Sequence, residues 1–533
     1  MNRTVGRAVV LLPLVLGLAS CSGDRSDGPA ARSGSTTQAS GAGATDTGSG
    51  SIDLQVVPLP DTVSGARFAS FSSDGEQIIF SGIPEGSGRV EVLSVGEDGS
   101  DLRCLTCGIA RSDDEPLLKP FAFTDGARIL VRVGEQSPVR AAQHAVVECA
   151  PSTADCKEAH LVPIVVPSAD DPSVVQDQRE MRISPDDRMI GFSQVRRGAG
   201  GDNVLIAVVA ELRRVGDRYE LVDGRVVSTL GELKNFTPDG TAVLVSAFTT
   251  LPDRVANPDV VRIELASEDQ SQVTYADGYD EDIDLSPDGA AYVVASGRTT
   301  GLFETVSQVR RPNFIGPAIE PLTAYLFVNH RRELLEPWLV EVGAEEHGGL
   351  GRQVNPDSAA DGYDARVPMS WSPTGDRLLF WEGRSDPNGP PTGSTRIVVA
   401  HLGRERVAGG PPAATPSPAW APALAGFVPP ATVEPISRDG RNQGSVTIAR
   451  RTEGDKEVIE VEYHDFSDDG AWIVDGTESA TFDGGTFGET RYVADLRLTG
   501  SHDGYLRADA VISAGGMEGS ITSSVDGHRL DLP

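Results

Sequence analysis

The chain has 533 residues, with 46 Lys and Arg against 78 Asp and Glu, a formal net charge of −32. That balance excludes a general nucleic-acid binder, which needs a basic face to neutralise phosphates. Gly (59) and Pro (36) are abundant, which favours many short strands joined by turns over long helices.

Arg3 and Arg7 precede an apolar run from Ala8 to Leu18. The run is too short for a permanent membrane span and suits a signal-peptide core. It ends Leu18-Ala19-Ser20-Cys21, which resembles the bacterial lipobox. The resemblance implies a lipoprotein signal peptide over 1–21, with Cys21 carrying lipid and the mature chain anchored to a membrane of the cell envelope, outside the cytoplasm. The other reading, an ordinary secretory signal with an incidental Cys21, also exports the chain. Residues 22–52 are Ser, Gly, Ala, Thr and Asp with almost nothing apolar, a composition that cannot fold. They are expected to form a disordered tether with a reach of about 30 Å.

Residues 53–410 carry a repeat. Six turns follow an apolar residue: Ser72-Ser73-Asp74-Gly75, Thr124-Asp125-Gly126, Ser184-Pro185-Asp186-Asp187, Thr237-Pro238-Asp239-Gly240, Ser286-Pro287-Asp288-Gly289 and Ser372-Pro373-Thr374-Gly375. Pro presets φ, Asp binds backbone amides, and Gly takes positive φ at little cost. Each turn leads into an apolar, β-rich run. Counted at the Asp or its equivalent, successive turns lie 51, 61, 53, 49 and 86 residues apart. A period near 50 with several short strands per unit predicts a β-propeller of six blades. Ser-Pro-Asp-Gly turns before such strands resemble TolB-like propellers with the WD-like repeat. The resemblance implies an all-β fold and carries no specific activity.

The fifth interval is long. The excess predicts an insertion at about 299–335 that is unusually apolar for a surface loop, either a lid on the propeller face or a partner-binding element. Within it His330-Arg331-Arg332 is the best lone candidate for polar work. The segment Ala276-Asp277-Gly278-Tyr279-Asp280 recurs as Ala360-Asp361-Gly362-Tyr363-Asp364, each before a blade-opening strand. Loops entering innermost strands sit at the channel mouth, so Asp277, Asp280, Asp282, Asp361 and Asp364 are a candidate ring of hard oxygen ligands suited to Ca²⁺, or to a basic ligand. The bland alternative is acidic turn residues in water, with no cofactor.

With Cys21 set aside, Cys104, Cys107, Cys149 and Cys156 remain, an even number in an exported chain. This favours disulfides. Local pairing, 104–107 and 149–156, is the simplest of three connectivities. A metal reading uses the zinc-like Cys104-x₂-Cys107 spacing with His144 and His160 nearby.

Residues 411–440 are a Pro- and Ala-rich linker, in which Trp420 and Phe427 point to some packing on a neighbour. Residues 441–533 switch to period-two alternation in eight short runs, among them Ala471–Val474 and Thr477–Phe482, and predict a small antiparallel β domain. No Gly-x-Ser-x-Gly, His-Glu-x-x-His or Gly-x₄-Gly-Lys motif is present. Two functional expectations follow. The first is a lipid-anchored binding or scaffold protein that meets an envelope protein or polymer ligand, with no nucleic acid and no oligomeric state implied. The second is a propeller hydrolase or lyase acting on an envelope or extracellular polymer.

Overall fold

The computed structural model describes residues 51–111, 114–135, 143–166, 171–199, 203–247, 257–315, 321–356, 361–385, 391–407, 412–430, 437–454, 456–482 and 488–532. Cys21 and nearly all of the expected tether lie outside them. No helix among the described residues is long and apolar enough to cross a membrane.

Six four-stranded units surround one axis. Their innermost strands are Val63–Phe71, Leu117–Ala122, Val174–Ile183, Gly231–Phe236, Asp280–Leu285 and Tyr363–Trp371. Each is followed by an antiparallel partner across its Asp turn. The second strands are almost entirely buried, as in Ala242–Ala247 and Ala291–Ser296, because neighbouring blades cover both of their faces. The outer strands of blades two and three also pair with each other, in parallel, at Tyr219↔Ile164 and Glu220↔Val165.

The turns work as their residues require. In blade five the Ser286 hydroxyl donates to Asp288 Oδ1, which also accepts from Ala290 N–H at 3.1 Å, and Gly289 sits at φ 69°. The same Ser/Thr–Asp bond recurs at Ser72–Asp74, Ser184–Asp186 and Thr237–Asp239.

The ring is closed by the first of the described strands. Asp53–Val56 is the outer strand of blade six and pairs antiparallel with Pro391–His401, from Asp53↔His401 to Val56↔Val398. This pairing across the length of the propeller was not visible in the repeat.

The C-terminal strands form one eight-stranded antiparallel meander, from Ser437–Asp439 to His528–Leu532. Strand Thr490–Gly500 alternates between buried Tyr492, Ala494, Leu496 and Leu498 and exposed residues between them. Ala471–Val474 and Thr477–Phe482, expected as two strands, are one, Trp472–Phe482. Gly476 does not break it. Its φ is 118°, and a Cβ there would lie 2.2 Å from the Asp495 carbonyl, so the position is a close crossing that only Gly allows.

What covers the apolar face of this sheet is the insertion. It leaves blade five after Ser296 and forms α1 (Leu302–Ser307), α2 (Pro321–Asn329) and α3 (Arg331–Leu334) before the blade resumes at Glu336. Phe303, Val306, Val309, Ile315, Leu322 and Leu326 share one core with Ile459, Tyr463, Tyr492, Leu496 and Leu506 of the sheet. The expected lid or free docking element is therefore the inner layer of the C-terminal domain. An eight-stranded sheet with one apolar face needs such a layer, and it lacks one of its own.

Residues 412–430 are packed rather than free. The Thr415 amide donates to Asp186 in the blade-three turn at 2.8 Å. Trp420 Nε1 donates to the Leu265 carbonyl at 3.1 Å, Leu424 is buried against blade three, and the Phe427 carbonyl accepts from Arg196 at 2.6 Å. The segment straps the outer side of blade three on its way to the sheet.

A charged channel as the candidate functional site

Every innermost strand loses register with its partner. In blades one, two and three the slips lie between Arg67 and Ser70, Leu118 and Phe121, and Arg179 and Arg182. In blades four, five and six they lie between Leu233 and Asn235, Asp280 and Ile283, and Arg366 and Ser370. A bulge re-aims side chains. In three blades it places a non-glycine residue at positive φ, four or five positions before the residue that opens the turn: Phe68 (52°), Lys119 (48°) and Glu180 (45°). Such backbone is uncommon outside Gly and is retained where the site requires it.

The bulged residues meet at the channel. Glu180 accepts from Lys119 Nζ at 2.6 Å and lies 3.2 Å from Arg182. Arg182 reaches across to Asp282 at 3.1 Å. Arg179 donates to Glu232 at 2.7 Å, and Lys234 bridges Glu232 at 2.8 Å and Glu281 at 3.3 Å. Tyr279 OH donates to Glu281 at 2.7 Å. Asn235 Nδ2 donates to Asp284 Oδ1 at 2.8 Å, and the Trp371 amide donates to Asp284 Oδ2 at 3.0 Å. Phe68 stacks edge-on against Trp381 at 5.1 Å and has Arg67 5.4 Å from its ring centre. The network thus touches all six blades.

The charges are unevenly matched. Burial opposes the charged form of Lys234, but Glu232, Glu281 and Glu180 outweigh it and raise its pKa. Burial also opposes charge on Glu180, and Lys119, Arg182 and Lys234 hold its carboxyl well below the usual range. On Lys119 burial wins: Glu180 offsets part of it, Arg132 and Arg182 add repulsion, and the pKa falls. Burial pushes Asp284 up to about 7, despite the Trp371 amide. Burial drops His144 to about 3, leaving a neutral ring whose Nδ1 lies 3.1 Å from Gln178 Oε1.

The five carboxylates expected to ring a cation do not gather. Asp280 pairs with Arg298 at 3.2 Å, Asp282 with Arg182, and Asp364 with Arg366. Asp361 is exposed, 3.7 Å from Arg396, and Asp277 lies near Glu304, whose carboxyl is raised by burial and by that neighbour. Guanidinium groups stand where a metal was expected. Among the described residues no group of three or more His, Cys, Asp or Glu is placed to hold a metal ion. The repeated tyrosines also differ. Tyr279 is buried against Phe303 and Phe327, whereas Tyr363 is half-buried with Arg396 4.0 Å above its ring. His330 lies against Tyr325 at 5.4 Å.

Of the three cysteine pairings the structure has the local one, Cys104–Cys107 and Cys149–Cys156. His144 and His160 take no part: the first faces Gln178 and the second Glu158. The two disulfide loops touch, since Arg103 donates to the Ala154 carbonyl. Disulfides of this kind belong to an oxidising, extracytoplasmic compartment.

The channel residues other than Asp282 were missed from the sequence. A signal existed: of only four Lys in the chain, Lys119 and Lys234 sit five and three residues before a blade turn, in the strands that lead into it.

Six four-stranded blades on Ser-Pro-Asp-Gly-type turns, with Asp53–Val56 completing the sixth, define a six-bladed β-propeller carrying an extra β domain. No family model and no curated protein matches the sequence. Among solved structures the chain is similar to TolB from Acinetobacter baumannii, at 12% identity over 65% of this chain and 66% of that one, with a TM-score of 0.34. It is similar to an oligogalacturonate lyase from Vibrio parahaemolyticus, at 12% identity over 66% and 98%, with a TM-score of 0.34. It is also similar to prolyl oligopeptidase B from Galerina marginata, at 11% identity and a TM-score of 0.31, covering 75% of this chain and spanning under half of the other, 46%. The propeller rests on the pairings above, and no activity is taken from these likenesses.

Proposed function

We propose that the chain is a lipid-anchored extracytoplasmic binding or scaffold protein, whose propeller and C-terminal sheet together present a surface to an envelope protein or polymer. The observation that carries this reading is how the channel charges are used. Lys234, Arg179 and Arg182 each engage a carboxylate of another blade at 2.7–3.3 Å. Groups held this way fix the blades to one another, as a frame for surface contacts requires. The anchor rests on the Leu18-Ala19-Ser20-Cys21 pattern.

Two measurements test the reading. Palmitate labelling in cells is expected for the wild type and absent for Cys21→Ser, and equal labelling removes the anchor. Photo-crosslinkers placed in cells at Glu76 on the turn face and at exposed Val493 on the C-terminal sheet are expected to capture a discrete envelope component from at least one site. Capture from neither site, together with cleavage of an envelope polymer by the purified chain, overturns binding in favour of catalysis.

A further inference from the structure

We infer that the small cavity between blades two and three, beside the channel axis, is a binding site for one halide ion. The cavity has a volume of about 10 Å³ and is lined by Lys119, Phe121, Arg132, His144, Glu180 and Arg182, with two apolar neighbours. A hole of this size takes one water-sized sphere. Phosphate, carboxylates and other polyatomic anions are too large for it.

Charge decides what the sphere is. Glu180 is shared between Lys119 at 2.6 Å and Arg182 at 3.2 Å, and Arg182 has Asp282 as its second acid at 3.1 Å. Arg132 faces Glu135 at 3.5 Å, but Glu135 is already held by Arg67 at 2.8 Å. Four cations (Arg67, Lys119, Arg132, Arg182) thus meet three carboxylates (Glu135, Glu180, Asp282), an excess of one positive charge. Adding the adjoining Arg179 and Lys234 with Glu232 and Glu281 leaves the excess unchanged. Asp284, which interacts with Arg182 and Asp282 and is pushed up to about 7 by burial, holds its proton below pH 7, where the excess of one stands. The neutral His144 ring does not alter the balance.

An orphan donor supplies an independent sign. Arg132 is 5% exposed, and its Nε is buried without a hydrogen-bond partner. Buried donors of this kind are rare and costly unless a ligand or water accepts from them. Water satisfies the N–H but leaves the charge, whereas a halide satisfies both. The depressed pKa values of Lys119 and Arg132, each set by burial that the carboxylates only partly offset, agree with a missing negative charge.

The test uses the purified full chain. Its thermal midpoint is followed as chloride or bromide replaces gluconate at constant ionic strength. A saturable rise is expected for the wild type and its loss for Arg132→Gln. Wild-type crystals grown in sodium bromide are expected to show an anomalous peak in contact with Arg132 Nε and Lys119 Nζ, and this readout stands even if the variant fails to fold. Density for water only, without an anomalous peak in the cavity, overturns the inference, as does a midpoint with no halide-dependent component.

Discussion

The two β structures of this chain each have a centre that needs filling, and they are filled by opposite means. The propeller channel is filled by its own innermost strands, whose bulges deliver a spread of charges from several blades. The C-terminal sheet is filled by a segment borrowed from blade five, mostly through its apolar side chains, with one fully buried ion pair among the described residues. There Arg311 uses every donor. It binds Glu478 through Nε at 3.0 Å and Nη2 at 2.8 Å, and also Tyr492 OH at 3.0 Å and the Val306 and Val309 carbonyls at 2.9 Å. Tyr463 and Tyr492 both donate to Glu478 at 2.9 Å. Arg311 and the Glu478 side chain are both fully enclosed. Shared charges are redundant, so loss of one leaves its partners with others. The C-terminal pair has no substitute.

The largest effect is expected where redundancy is absent. Arg311→Met leaves Glu478 buried beside two phenols, at a cost of about 3–5 kcal/mol. Denaturant unfolding, with hydrogen exchange read on the C-terminal strands, measures it. The double variant Arg311→Met/Glu478→Gln is expected to recover much of the loss, and equal instability of the single and double variants removes the ion-pair explanation. In the channel, Lys234→Met is expected to cost less, roughly 2 kcal/mol, within the range for breaking a buried charge pair that keeps other partners. Glu232 retains Arg179 at 2.7 Å, and Glu281, whose carboxyl burial already raises, takes up a proton. The penalty should therefore be greater at pH 8 than at pH 5, and a pH-independent penalty contradicts this account.

Asp284 gives the pH signature of the channel. Its folded pKa, about 7, lies above that of an unfolded aspartate, so the folded state holds the extra proton. The resulting stability is fully present below about pH 4 and is lost as pH rises through about 7. Asp284→Asn is expected to flatten this part of the stability profile, and an unchanged slope between pH 4 and 7 rules Asp284 out as its source. Smallest of all, Lys119→Met in halide-free buffer is expected to cost under about 1 kcal/mol, near the low end of hydrogen-bond values. Burial already disfavours its charge, and Glu180 keeps Arg182 at 3.2 Å. A cost matching that of Lys234→Met erases the contrast between the two lysines.

How far the sequence could be read follows the range of each interaction. Ser286-Pro287-Asp288-Gly289 is legible because its hydrogen bonds close within five residues. The number of blades follows from repeating such turns. Asp280 and Asp364 were legible as special acids before innermost strands, yet their partners are Arg298 and Arg366, and no spacing rule separates a guanidinium from a metal ion at that position. The apolar insertion was visible, but its cover begins more than 100 residues downstream: Arg311 meets Glu478 across 167 positions. The bulges left no pattern of their own, since Phe68, Lys119 and Glu180 share a backbone conformation and no side-chain chemistry. The gap between Val474 and Thr477 reads as a strand break until the approach of the Asp495 carbonyl to Gly476 is known.

The strand that seals the ring also fixes the order in which the molecule can be finished. Asp53 is made early and faces His401, 348 residues later. Until that residue has been synthesised, Asp53–Val56 has no ladder to join, and the first blades assemble as an arc with two open ends. Exposed ends of this kind invite pairing with other chains. The Asp53–Val56 segment therefore joins its blade only once Pro391–His401 is available to pair with it.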